Sequence, residues 1–543
     1  MAVIGLVLFM LATVVVSGVI VRVLPVAVPT PLLQIALGAV IAALSPFKVP
    51  LNPDVFFLLF LPPLLFLDGW RIPKEGLLRD RGMILALAFG LVFFTVLGVG
   101  LFIHWLIPAM PYAVAFALAA IVSPTDPVAV SAITSRVPMP KRVLHMLEGE
   151  SLLNDASGLV CFRFAVAAAL TGMFSLSSAA LAFTQLAVVG VALGVGLTYG
   201  IVLAKNWISR RFGEESGSQV VITLLLPFVA YEAAEHFGGS GILAAVAAGI
   251  TMSYAELAGG SLATTRMQRT AVWDTVQFAL NGIMFVLLGE QLPAIFASAV
   301  QVVQESNHAN PWWLAVYVLT INLSLAVLRF GWVWLAMKGA ALVARRRGGA
   351  PHEPTPRLVA AMSVAGVRGA ITLAGVLTLP LADDDGVPFP ARSLAIFLAA
   401  GVIILSLTAA NVALPRLLAG LEDPGEDAAD AELDAARKAA AEAAIQAVEA
   451  ALHEMARGHS DADFYAEAAA RVMDRYRRRV EGHATGENAT RVRHIDRIER
   501  RLRLAGLRAE RDTIYALARA QKISDASSRK LVREVDLVEE RFR

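Results

Sequence analysis

Thirteen apolar runs follow one another between residues 2 and 419, separated by short polar connections. This succession leaves few folds open. About 20 apolar residues in a helix cross the hydrocarbon of a bilayer. Inside a bilayer every backbone N–H and C=O must be bonded internally, which admits only helices and closed barrels. With Pro, Gly and charge clusters as boundaries, the runs are 2–21, 31–46, 54–70, 83–107, 112–134, 146–170, 183–203, 218–236, 240–256, 272–292, 312–340, 357–381 and 392–419. Unbroken runs of this length read as helices, so the expected class is an all-α polytopic membrane protein with about 13 transmembrane helices.

Charge is distributed to match. Only 17% of the 543 residues are charged, against about 25% in soluble domains. Residues 421–543 hold 25 of the 45 Asp/Glu and 23 of the 47 Lys/Arg. The expected division is a transmembrane domain over 1–420 and a charged, mainly helical C-terminal domain over 421–543. The net charge of +2 gives no reason to expect a nucleic-acid partner.

Lys and Arg alternate between the two sets of connections. One set carries Arg22; Arg71, Lys74, Arg79 and Arg81; Arg136, Lys141 and Arg142; Lys205, Arg210 and Arg211; Arg266 and Arg269; and the cluster from Lys338 to Arg357. The other carries only Lys48 and Arg392. Basic connections stay on the cytoplasmic face. The N-terminus is therefore expected outside a cell (plasma or inner) membrane and the tail in the cytoplasm. Met1 to Val21 lacks a basic leader and a small-residue cleavage site, so it reads as a retained span. Cys161 is the single cysteine, which excludes an intramolecular disulfide.

The tail reads as helices over 427–457 and 462–480 and near 488–520 and 525–543, punctuated by Gly458 and the Gly482–Gly486 segment. A solvated helical bundle or a dimer contact fits this pattern, and nothing in it specifies a ligand. The Arg475–Arg479 run reads as a solvated helix face. Within the membrane domain there is a faint repeat. Leu61–Asp68 in the third span and Asn281–Glu290 in the tenth each end in an acid. They lie seven spans apart, and an odd shift inverts topology, so spans 1–6 and 8–13 can be inverted repeats.

Three carboxylates interrupt this apolar background within about 30 residues. A charge at the bilayer centre costs about 2.5–3.5 kcal/mol on the more modest scales and marks a functional position by default. In the fifth span, Ser123-Pro124-Thr125-Asp126-Pro127 removes two backbone donors and must break the helix. The freed carbonyls, with the Thr125 and Asp126 oxygens, suit a monovalent cation. In the sixth span, Asp155 lies about nine residues from the cytoplasmic end, roughly 14 Å deep. Ser151 and Asp155 are i, i+4 and share a face; Glu150 and Asn154 share the next stripe. In the twelfth span, Gly366-Val367-Arg368-Gly369 places a permanent cation between glycines and reads as a second broken helix. Glu150 is its expected partner, because Glu150 lies off the Ser151/Asp155 face. Arg329 in the eleventh span is a second buried cation, to be met by an acid or by carbonyls of the twelfth span. Asp155 can hold either a proton or a metal cation, and holding one excludes the other. Arg163, in the sixth span, has no role in this scheme.

These motifs, SPTDP at 123–127, EGESLLND at 148–155 and GVRGA at 366–370, together with Leu61–Asp68 and Ser240–Gly249, resemble the monovalent cation:proton antiporter family of NhaP-type and animal sodium/proton exchangers. The resemblance covers residues 1–420. It implies a NhaA-like fold of inverted repeats with broken helices at spans 5 and 12, and a homodimer with a core of spans 4–6 and 11–13. It implies Asp155 as the ion- and proton-carrying carboxylate, and an ion site shared by Asp126, Thr125, Ser151 and Asp68. It implies Glu150 and Arg368 as a structural pair, with Asn154, Ser123 and Arg329 in support. Asn at 154 goes, in such relatives, with electroneutral exchange. Na⁺ and H⁺ are then the transported substrates, with K⁺ or Li⁺ as alternative cations, and no cofactor is called for. A channel or an ion sensor is the rival class.

Overall fold

A computed structural model describes residues 2–24, 28–44, 53–72, 80–126, 130, 139–172, 176–257, 262–305, 312–346, 355–382, 388–419, 426–455, 462–481 and 487–540. The chain divides into two compact units, Met1–Glu422 and Asp423–Arg543.

The first unit is helical throughout, apart from one isolated bridge between Ala382 and Pro388 among the described residues. Helices lie over the apolar runs: α1 (Ala2–Val23), α2 (Thr30–Leu44), α3 (Pro53–Arg71), α4 (Arg81–Leu106), α5 (Tyr112–Val122), α6 (Lys141–Thr171), α7 (Leu176–Phe212), α8 (Ser216–His236), α9 (Gly241–Leu257), α10 (Ala263–Glu305) and α11 (Trp312–Arg346). The twelfth run folds as two pieces, α12 (Pro356–Val364) and α13 (Ala370–Leu377), followed by α14 (Arg392–Leu418). By length and composition α4, α6, α7, α8, α10, α11 and α14 can each cross a membrane, and four shorter apolar helices accompany them. Pro127 and the second half of the fifth run lie outside the described residues, except Val130, as do Lys48 and Asp383–Asp385.

Two helix pairs pack through reciprocal glycines. In α2 and α10, a Cβ added at Gly38 would run into the Val286 carbonyl, and one at Gly289 into that of Ile35. In α3 and α9, a Cβ at Gly69 would meet the Val246 carbonyl and one at Gly249 that of Phe66. Only glycine lets two backbones approach this closely. A shift of seven spans sends α2 to α9 and α3 to α10, so it exchanges the two pairs glycine for glycine.

Helix α4 contains a π-helical turn, Ala86–Leu91. A π turn loosens the i→i−4 ladder and frees carbonyls. Here the Ala86 carbonyl accepts from Trp332 Nε1 at 2.9 Å and the Ala88 carbonyl from Ser157 Oγ at 2.7 Å. The turn thus ties α4 to α11 and α6. One expectation about the connections changes. Arg266 and Arg269, counted as loop cations, belong to α10; Arg269 is buried, paired with Glu256 and 5.2 Å from the centre of the Trp70 ring.

The second unit contains α15 (Glu426–Met455), α16 (Ala462–Glu481), α17 (Glu487–Arg519) and α18 (Asp525–Glu540). Helix α15 packs on α16 and α17 on α18. Arg511 joins α17 to Asp536 at 2.7 Å and to Glu539, beside buried Ile514 and Val535.

Candidate functional site

The site is built where two helices stop. Helix α5 ends at Val122 because Pro124 supplies no N–H and crowds the preceding turn. In a continuing helix the Asp126 N–H would donate to the Val122 carbonyl. Instead it donates across to the Val367 carbonyl, at 2.8 Å, in the break between α12 and α13. The Val122 carbonyl accepts from Arg368 Nε at 2.8 Å. The two breaks therefore exchange partners, and each supplies what the other lost. The Arg368 Nη1 also donates to the Gly366 carbonyl, and its backbone N–H to Ser406 Oγ at 3.2 Å. A cation beside the C-terminus of α5 also offsets the negative end of that helix dipole.

The expected pairing of Glu150 with Arg368 is corrected here. Glu150 is held by Arg329: Nη1 donates to Oε1 at 2.5 Å and Nη2 to Oε2 at 2.8 Å, with both side chains 2% exposed or less. Arg329 Nε donates to the Met362 carbonyl at 3.1 Å. Arg329 thus meets both partners foreseen for it, an acid and a carbonyl of the twelfth span. Arg368 has its guanidinium committed to carbonyls at the two breaks. The bidentate fork goes to the arginine whose helix, α11, places it alongside Glu150.

From this pair a chain of hydrogen bonds reaches the break. Thr125 Oγ1 donates to Glu150 Oε1 at 3.3 Å and accepts from Asn154 Nδ2 at 3.0 Å. Ser151 Oγ donates to the Thr125 carbonyl at 2.7 Å. Ser123 turns away, its hydroxyl bonded to Thr95 Oγ1, which also bonds the Leu91 carbonyl at the end of the π turn.

In front of this framework lies a cavity of about 20 Å³, room for one water-sized occupant. Asp68, Thr125, Asp126 and Asp155 line it, together with Asn281 and Thr372. The structure therefore brings together four of the residues singled out from the sequence. Ser151 sits beside them, lining the approach, and Asn154 lies behind, buried. Ser123, Glu150, Arg329 and Arg368 form the supporting frame and do not line the cavity. Among the described residues the carboxylates do not close into a three-ligand metal cluster. At its rim Gly369 packs against the Asp126 carboxyl, and any Cβ there would collide with it.

Two residues were missed. Thr372, in the first turn of α13, resembled any small polar residue in an apolar run. Asn281 lay in the repeat-like stretch of the tenth span, and nothing there pointed to the fifth and sixth.

A funnel of about 550 Å³ shares Asp68 and Asn281 with the cavity and continues past Ser151, Glu148, Arg71 and Asp274. A second cavity, of about 620 Å³, lies further along α6 and is lined by Arg163, Tyr231, Glu232 and Glu235. Among the described residues it shares no lining residue with the first. Arg163, unexplained by the sequence, faces Glu235 there at 3.3 Å.

Comparisons with known proteins show the family and the fold. The family model for the transmembrane sodium/hydrogen exchanger matches residues 9–420. An uncharacterized Na(+)/H(+) exchanger of Escherichia coli, YjcE, is 39% identical over 538 residues, covering 98% of this chain and 97% of its own. A sodium, potassium, lithium and rubidium/H(+) antiporter of Bacillus pumilus is 38% identical over 527 residues, covering 97% and 76%. Among solved structures, the sodium proton antiporter MjNhaP1 of Methanocaldococcus jannaschii superposes with a TM-score of 0.59 at 19% identity, covering 78% of this chain and 99% of its own. That likeness concerns the fold.

Proposed function

The chain belongs to the transmembrane sodium/hydrogen exchanger family, and from that premise we propose that it is an antiporter exchanging Na⁺ for H⁺ at Asp155. One observation carries the proposal. Asp155, Asp126, Asp68 and Thr125 line a single ion-sized cavity beside two crossed helix breaks, and it shares Asp68 and Asn281 with a funnel that carries Arg71, Glu148 and Asp274.

The mechanism follows from the charges. A bare carboxylate at membrane depth is expensive. Asp155 crosses the barrier only when neutralised, by Na⁺ or by H⁺, and this couples the two fluxes. The Asp126 and Thr125 oxygens replace part of the water shell of the cation. Glu150 stays bound to Arg329, so it frames the site and carries nothing. Asn154 adds no further titrating group, which suits one-for-one, electroneutral exchange. Alternating access would move a core containing α4–α6 and α11–α14 against a scaffold containing α3, α8 and α10.

The same reading places the funnel and the C-terminal unit in the cytoplasm and the N-terminus outside a cell membrane, with the protein a homodimer serving pH and sodium balance. Basic connections on the funnel side support that orientation. A second cation is favoured by one observation: the Bacillus pumilus relative is named for potassium, lithium and rubidium as well as sodium. K⁺/H⁺ exchange at the same carboxylate is the alternative.

The test is purified protein in proteoliposomes with an internal pH dye. Pulses of Na⁺, K⁺ and Li⁺ should drive proton movement without current, and Asp155→Asn should abolish it while leaving thermal unfolding in detergent intact. Exchange retained by Asp155→Asn would overturn the assignment, and uncoupled current would point to a channel.

A further inference from the structure

We propose that Asn281 is a positioning residue for the incoming cation, a scaffold-side amide that receives it from the funnel and passes it to Asp155 and Asp126. The inference rests on the antiporter reading above and deepens it.

The observation starts with one stripe of α10. Asp274, Gln277 and Asn281 follow at i, i+3 and i+7 and line the same face of the funnel. The first two are already engaged. Arg71, from the end of α3, donates to Gln277 Oε1 at 2.7 Å and is ion-paired with Asp274. Asn281 is the next polar group along the stripe toward the site. Its amide has no hydrogen-bond partner among the described residues. It is half-buried, and it faces both the funnel and the ion-sized cavity.

Among the described residues, only Asp68 besides Asn281 lines both spaces. Asp68 comes from α3 and Asn281 from α10, whereas Asp126 and Asp155 follow and occupy α5 and α6. The neck between funnel and cavity is therefore made of one carboxylate and one carboxamide, both on the scaffold side. A cation entering through it must shed water. The amide oxygen supplies one neutral ligand at that moment, and the amide N–H₂ can donate to a carboxylate once the cation has moved on. A neutral ligand suits this position, because a second carboxylate beside Asp68 would hold the ion back. Since Asn281 does not belong to the core, the contact exists only while the cavity faces the funnel.

This makes the effect one-sided, which a general structural role would not. Membrane vesicles of both orientations, holding the full-length protein, would be assayed for Na⁺-driven proton movement. Asn281→Ala should raise the Michaelis constant for Na⁺ about five- to ten-fold from the funnel side. It should leave the constant from the opposite side, and the rate at saturating Na⁺, within about two-fold. Asn281→Ser, which keeps an oxygen, should recover part of the affinity, and Asn281→Leu should recover none. If Asn281→Ala leaves the funnel-side constant unchanged, or changes both sides and the saturated rate equally, the inference fails. Should Asn281→Ala not fold, the Asn281→Ser and Asn281→Leu pair decides by the same comparison. The Asp155→Asn control separates the two readings: if it is inactive while the Asn281 variants are wild-type on both sides, only the role of Asn281 falls. If it remains active, the antiporter reading falls first.

Discussion

Glu150 and Arg329 meet through both carboxylate oxygens, at 2.5 and 2.8 Å, from helices 179 residues apart in sequence, with almost no exposure on either side. The consequence for stability is asymmetric. Removing one member of such a pair strands the other, at a cost of about 3–5 kcal/mol, whereas removing both and filling the space is often near neutral. Glu150→Gln should therefore lower the thermal unfolding temperature in detergent sharply, and Glu150→Gln with Arg329→Met should recover most of the loss. A double-mutant cycle read by thermal unfolding checks this. An additive result would exclude the pair as a unit.

Gly369 gives a second expectation. A Cβ at this position would strike the Asp126 carboxyl itself. Gly369→Ala should therefore depress Na⁺-driven exchange, through displaced cation oxygens, with only about 1–3 kcal/mol lost in stability. Gly366→Ala makes a useful contrast. There the nearest atoms are on the long Arg329 side chain, at 2.7 and 2.8 Å, which must shift within its bidentate grip. That variant should lose stability before it loses cation affinity. Paired measurements of the Michaelis constant and of thermal unfolding separate the two.

The reciprocal glycines predict that the scaffold tolerates no side chain at its crossings. Gly289→Val should force α2 from α10, and Gly249→Val should force α3 from α9, each costing about 1–3 kcal/mol or preventing assembly. Gly331 and Gly339 in α11 have nothing within reach of an added Cβ, so Gly→Ala there should be neutral or slightly stabilising. Expression level and unfolding temperature report the difference.

The competition proposed at Asp155 fixes the sign of the expected pH dependence. With protons and Na⁺ sharing that carboxylate, acidification should raise the apparent Michaelis constant for Na⁺, and excess Na⁺ should restore the rate. The check is proton movement measured across a pH series at several Na⁺ concentrations. A constant that falls with acidification would mean that the two ions do not share a site.

How much of this was legible beforehand varies with the residue. Asp126 and Asp155 stood out because a carboxylate in an apolar run is costly and therefore rare, and Thr125 because it sits between two prolines. Both helix breaks could be placed from Pro124 and from Gly366 and Gly369, since backbone hydrogen bonding is a local affair. Asn281 and Thr372 could not be found. Neither residue type is unusual in a membrane helix, and their place beside Asp155 depends on how α10 and α13 pack against α3 and against each other.

The sequence by itself determined the helices, their apolar character, the presence of acids inside them and the separation of a charged tail, because each depends on runs of neighbouring residues and on the cost of polar groups in hydrocarbon. Tertiary structure alone decided which arginine takes Glu150, and that Arg368 instead closes the two helix breaks. Arg329 and Arg368 carry the same charge, so local chemistry does not distinguish them. Partner choice is set by reach: the guanidinium that packing of α11 against α4, α12 and α14 brings within hydrogen-bond distance wins both oxygens, and the other satisfies the carbonyls left open beside it.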